Sequence, residues 1–154
     1  MPYLIRDDGV GMEDSQLICI WLDRLDGSPR FDHPAGQERW ESRRLEALAR
    51  SLMDGLSVWG RNIVLSESER SETMIAHERQ RSRRLFDLLE SQIGHPLLTG
   101  ELNLVQITLV CALQLERRNP DIQWRQARPE SSKWMDKINV RTSIIETLPP
   151  FIQI

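Results

Sequence analysis

A chain of 154 residues, 40% hydrophobic and 28% charged, has room for one domain with at most a small appendage, and its composition is that of a core-forming protein rather than a disordered one. The formal net charge of -3 supplies no global field toward nucleic acid or anionic lipid. The longest apolar runs, at 17–22 and 107–113, are far too short to cross a bilayer.

The chain opens on a β-favouring run, Tyr3-Leu4-Ile5, followed by Asp7-Asp8-Gly9 as a turn and a second extended stretch from Val10 to Glu13. Asp14 is a natural N-cap, and Ser15–Leu25 reads as a helix bearing Leu17, Ile18, Ile20, Trp21, Leu22 and Leu25. Asp26-Gly27-Ser28-Pro29 and Phe31-Asp32-His33-Pro34 are dense in turn-forming residues, which places a linker at 28–33 between an N-terminal piece, 1–27, and a helical part, 34–154.

The rest is expected to be almost entirely helical. From Ala35 to Leu65 the apolar stripe Leu45, Leu48, Ala49, Leu52, Leu56, Trp59 and Ile63 repeats at three or four residues. Charges occupy the opposite side, with Glu41–Arg44 and Glu46–Arg50 spaced for helical ion pairs. Ser71 caps a further helix running to Ile93, and Gly94, Pro96 and Gly100 make an irregular stretch. Leu104–Leu115 is apolar on every side, which predicts a buried central helix. Its start is specified by Asn103 as N-cap, by Gln106 reaching back to complete a capping box, and by Leu102 and Ile107 at the positions of a hydrophobic staple. Two short helices follow at Ser131–Ile138 and Thr142–Thr147, before Pro149-Pro150 ends regular structure.

Few residues outside this pattern point to chemistry. Cys19 and Cys111 lie in apolar helical runs and are expected to be buried free thiols of a reducing, cytoplasmic protein. No signal-peptide pattern opens the sequence as given. His33, His77 and His95 stand apart, without the spacing of metal ligands, so no metal is expected. The basic stretch His77–Arg84 lacks interleaved aromatics and is interrupted by Glu78, which favours a solvated helix face over a nucleic-acid contact. The five tryptophans are expected in the core or at interfaces.

Taken together, the opening "PYLIRDDGVGMEDSQLICIWLD", the proline-rich linker, the long helix pair and the "G-x-L-N-x-x-Q" run before an apolar helix resemble the soluble glutathione transferases, bacterial-type members most. The resemblance covers the whole chain. It implies the last hairpin and helix of a thioredoxin-like domain followed by the complete all-helical C-terminal domain, a mainly α fold. It further implies that Met1 and Pro2, across a cis peptide bond, meet the cysteinyl part of glutathione, while Asp14 and Ser15 hold its γ-glutamyl end. A helix N-terminus suits a carboxylate, Ser15 adds a hydroxyl, and Asp14 can meet the ammonium.

In the family a strand–helix–strand unit, about 30 residues or more, comes before the position matched by Pro2 and carries the Ser, Tyr or Cys that activates the glutathione thiol. No residue of this sequence matches it. The expectation is therefore a chain that by itself does not conjugate glutathione to an electrophilic small molecule, although the complete form would. No cofactor beyond glutathione as co-substrate is implied, and a homodimer is possible. The alternative is a non-catalytic helical interaction module or a decayed remnant of the family.

Overall fold

The computed structural model describes residues 2–150. Two short strands, β1 (Tyr3–Ile5) and β2 (Gly11–Glu13), form an antiparallel hairpin in the register Tyr3↔Glu13, Leu4↔Met12 and Ile5↔Gly11. The turn closes through Gly9, whose φ of 82° is a conformation that glycine adopts at little cost. Helix α1 (Ser15–Asp23) follows, and then come the long pair α2 (Glu38–Ile63) and α3 (Glu72–Gln92). The single-turn α4 (Pro96–Thr99), central α5 (Leu104–Leu113), α6 (Pro129–Ile138) and α7 (Thr142–Glu146) complete the chain.

One contiguous core runs through the helical part. The stripe predicted on α2 is its spine, with Leu45, Ala49, Leu52, Leu56 and Trp59 buried against Leu109, Val110 and Leu113 of α5 and Phe86 and Leu89 of α3. Two buried tryptophans pair their indole N–H groups: Trp124 donates to the Leu113 carbonyl at 3.2 Å and Trp134 to that of Leu98 at 2.6 Å, whereas the Trp59 indole N–H has no hydrogen-bond partner among the described residues. Trp40 behaves differently, being 72% exposed with the Arg43 guanidinium 5.8 Å from its ring centroid.

Several expectations change in detail. The stretch around Pro96 is not irregular: Pro96 starts α4, and the His95 ring accepts from the Leu97 amide. The capping box of α5 is half formed. Asn103 Oδ1 accepts from the Val105 and Gln106 amides at 3.0 and 3.3 Å, whereas the Gln106 side-chain amide donates to the carbonyls of Leu97, Gly100 and Glu101. The carbonyls at the end of α4 and in the turn after it are thereby satisfied by side-chain amides. Leu102 packs on the core while Ile107 lines a cavity beside α1.

The basic stretch of α3 is not wholly a solvated face. Glu78 and Ser82 are buried, and Arg81 pairs with Glu78 at 2.7 Å and with Ser51 of α2. Helix α5 also departs from its prediction, because Cys111 is exposed. Apolar residues on all sides of a helix show that every side is fit for burial, and among the described residues nothing covers that one.

The linker is firmly held. Both carboxylate oxygens of Asp23 accept from backbone amides, those of Arg30, Phe31 and Asp32, each at 3.0 Å. On its other side the Leu104 amide donates to the Phe31 carbonyl at 2.7 Å.

Candidate functional site

The register of the hairpin puts Pro2 and Asp14 at the next positions outward from the Tyr3↔Glu13 pair, so the first strand begins beside the residue that starts α1. Met1 lies outside the described residues, and with it the cis peptide bond expected before Pro2. Asp14 has φ 74° and ψ 118°, a conformation that a non-glycine residue keeps only when its surroundings hold it there. What holds it is visible. Its Oδ1 accepts from the amides of Gln16 at 2.9 Å and Leu17 at 3.1 Å, which caps α1, and its Oδ2 accepts from Arg50 Nη2 at 3.1 Å. The bond from the Leu17 amide, helped by the Arg50 charge, keeps the carboxyl below its ordinary pKa against the effect of desolvation, so Asp14 is an anion. Ser15, the first residue of α1, is exposed.

Behind these two residues lies a polar cluster that the sequence pattern did not reveal. Gln16 accepts from Arg50 Nη1 through its Oε1 and donates through its Nε2 to Glu46. The Glu46–Arg50 pair was expected on the solvent side of α2, but Glu46 is buried at 4% side-chain exposure, and its Oε1 is 4.0 Å from Arg50 Nη1. Burial pushes the Glu46 carboxyl up from the usual carboxylate range. His33, from the linker, is buried beside it. Its Nδ1 is 2.7 Å from Ser42 Oγ, and its Nε2, 3.7 Å from Glu46, has no hydrogen bond among the described residues. Burial pushes the imidazole pKa down.

The remaining candidates lie elsewhere. Asn103 and Gln106 stand at the start of α5 as structural groups, away from this corner. Cys19 and Cys111 are both exposed, contrary to expectation, because the faces of α1 and α5 that carry them have no covering element among the described residues. Even so, desolvation by the atoms around each sulfur pushes both thiols above their ordinary pKa, so neither is a ready nucleophile. Cys19 borders an apolar cavity of about 490 Å³, lined also by Leu22, Leu25, Phe31, Leu104 and Ile107. Among the described residues no group of three or more metal-ligating side chains converges, and no helix is long and apolar enough to cross a membrane.

Known proteins share this architecture. The family model described as the C-terminal domain of glutathione S-transferases matches residues 52–141. The uncharacterized GST-like protein YibF of Escherichia coli (strain K12) is 28% identical over 152 residues, which are 97% of this chain and 75% of that protein. A glutathione transferase family member from Pseudomonas fluorescens Pf-5, solved with bound S-(propanoic acid)-glutathione, is 30% identical with a TM-score of 0.87, over 97% of this chain and 77% of that one. A structure from the same organism with bound glutathione gives 29% identity and a TM-score of 0.88, over 97% and 74%. Gtt2 from Saccharomyces cerevisiae, at 18% identity, a TM-score of 0.81 and coverage of 95% and 74%, shares the fold.

Proposed function

This chain belongs to the glutathione transferase family, and from that premise we propose that its Asp14–Ser15 corner binds the γ-glutamyl end of glutathione for transfer of the thiol to an electrophilic small molecule. The observation that carries the reading is the backbone of Asp14. A φ of 74° at a residue with a side chain costs about 1–3 kcal/mol. That cost turns the strand end so that an anionic carboxylate and the exposed Ser15 hydroxyl stand together at a helix N-terminus. Complementarity to an amino acid head group follows. The Asp14 carboxylate suits the ammonium, and the Ser15 hydroxyl, with the partial positive charge of the helix N-terminus, suits the carboxylate. The relatives from Pseudomonas fluorescens that hold glutathione or a glutathione conjugate support the same ligand here.

In the complete reaction the glutathione sulfur attacks the electrophile as a thiolate and forms the carbon–sulfur bond, while either the bond to a leaving group breaks and that group departs with the electron pair, or a π bond breaks and its pair moves to the far atom, which takes up a proton. The described residues supply recognition. On this reading Ser15 binds the ligand, and the two thiols, held above their ordinary pKa by desolvation, take no part in activating glutathione. Calorimetric titration of the 154-residue chain with glutathione tests the reading. Saturable binding is expected, weakened about tenfold or more in Ser15→Ala by the loss of a hydrogen bond to a charged group. Absence of binding to the folded chain overturns it. Turnover of a generic electrophile by the same chain, suppressed by a competitive glutathione analogue, would show that the activating group is also present.

A further inference from the structure

The binding corner is tied to α2 by one side chain. Arg50 lies three helical turns into α2, yet its guanidinium turns toward α1 and divides its two terminal nitrogens between Asp14 Oδ2 and Gln16 Oε1. Gln16 passes the connection back to Glu46, one turn before Arg50 on the same helix. The result is a ring, Asp14–Arg50–Glu46–Gln16, whose last two sides are the Gln16 backbone amide on Asp14 Oδ1 and the 4.0 Å approach of Arg50 Nη1 to Glu46 Oε1. The Gln16 carbonyl meets the cation and its amide meets the buried anion, and turning the amide over would set like against like at both ends. We propose that Arg50 is a positioning residue for γ-glutamyl recognition, holding the carboxylate of Asp14 and the first turn of α1 in the geometry the ligand requires. The inference rests on the glutathione reading above.

Two features make the dependence on Arg50 strong. Asp14 is held in an unfavourable backbone conformation, so it relaxes unless its side chain is fixed at both oxygens. The hairpin before it is two-stranded and has three residues per strand, too little to fix the strand end on its own. A planar fork sets two terminal nitrogens at a fixed separation for the acceptors of Asp14 and Gln16, whereas a lysine ammonium presents its three donors from one point on a flexible stem and fixes their geometry less firmly.

The experiment is a glutathione titration of the whole chain and its variants, with amide hydrogen exchange in residues 14–18 as a second readout. Arg50→Ala is expected to raise the glutathione Kd by about tenfold or more and to speed exchange in that turn, while the exposed Arg83→Ala does neither. In the Asp14→Asn background the effect of Arg50→Ala should shrink to about twofold or less, because a residue acting through another is not additive with it. Discrimination against the glutathione analogue lacking the γ-glutamyl amino group should fall in Arg50→Ala, which general destabilisation does not produce. If Arg50→Ala does not fold, Arg50→Lys carries the test, with an expected weakening of about threefold. A Kd within about twofold of wild type in a folded Arg50 variant, or additivity with Asp14→Asn, overturns the inference alone. Failure of the wild-type chain to bind glutathione overturns the functional reading and this inference with it.

Discussion

Arg81 of α3 reaches over Gly55 of α2 and donates from one nitrogen to both the carbonyl and the hydroxyl of Ser51, at 2.5 and 2.8 Å. Its other nitrogen pairs with Glu78 at 2.7 Å. A Cβ at Gly55 would collide with both the Arg81 guanidinium and the Glu78 carboxylate. Glycine in mid-helix, costly in itself, is there to let a side chain from the next helix cross.

Arg81→Ala should therefore destabilise the chain by about 1–3 kcal/mol, since it strands the buried Glu78 carboxylate, whereas Arg83→Ala changes stability by less than about 0.5 kcal/mol. Gly55→Ala should be destabilising in the wild type and less so once Arg81 is alanine, because the gain in helix propensity of about 1 kcal/mol is then opposed by the Glu78 carboxylate alone. Urea midpoints of the four variants check the cycle; an additive result would mean that Arg81 and Gly55 do not interact.

Asn103 does two jobs at the start of α5. Its oxygen caps the helix, while its nitrogen donates to the carbonyls of Leu97 and Glu101 at 2.8 and 3.0 Å. Asn103→Ala is expected to cost about 1–2 kcal/mol. Asn103→Asp distinguishes the two jobs: aspartate is an equally good cap, but it would turn a carboxylate oxygen toward two carbonyls. A loss of about 1 kcal/mol or more is expected at neutral pH; stability equal to wild type would show that the cap alone matters.

Helix α6 is capped from a distance. The residue before it makes no side-chain cap bond, and the Glu90 carboxylate of α3 instead accepts from the Glu130 amide at 2.9 Å and from the Ser131 amide and hydroxyl at 2.8 and 2.5 Å. Desolvation opposes ionisation of Glu90, but the bonds from Ser131 and Glu130 outweigh it and hold the carboxyl below its ordinary 4.5. Its contribution is thus present above pH 4.5 and lost as pH falls through the lower folded value. Glu90→Gln should cost about 1–3 kcal/mol at pH 7 and much less at acid pH, as read from unfolding curves at the two pH values.

His33 and Glu46 give the junction of linker and α2 an opposite pair of slopes. Burial lowers the His33 pKa from 6.5, so the unfolded chain takes up the proton first; stability is present above 6.5 and lost as pH falls below it. Burial raises Glu46 from 4.5, so its contribution is present below 4.5 and lost as pH rises through the folded value. In His33→Asn only the second slope remains at this junction. The stability difference between wild type and His33→Asn should grow with rising pH up to about 6.5–7 and then level off; denaturant titrations in that window measure it.

Helices were legible where the signal was local. The apolar period of α2, and the caps Asp14, Ser71 and Asn103, act over three or four residues and mark α1, α2, α3 and α5 within a turn of where they lie. What escaped is carried by partners far apart in the chain. Arg81 meets a residue 30 positions away, Arg50 one 36 away and Glu90 one 41 away. A charged residue reads as solvent-facing until the fold shows whose carbonyl or carboxylate it meets. The Asp14–Ser15 corner divides in the same way. Asp14 and Ser15 stand out because they are adjacent and cap a helix, whereas Gln16, Glu46 and Arg50 take meaning only once α1 lies against α2. Cys19 and Cys111 err in the other direction, since apolar neighbours report that a helix face is fit for burial and not that something covers it.

The Asp23 carboxylate, clasping three successive linker amides, changes how the molecule transmits force. A peptide between two structural units usually acts as a slack tether, yet here residues 30–32 are fastened to α1 on one side and, through the Phe31 carbonyl, to the first turn of α5 on the other. Tension applied at the hairpin is thereby delivered to the most hydrophobic helix of the bundle instead of being absorbed by loop extension. Displacing α1 means first breaking several parallel hydrogen bonds at once, a shear load rather than a sequential unzipping. The linker thus fastens α1 to the first turn of α5 through residues 30–32.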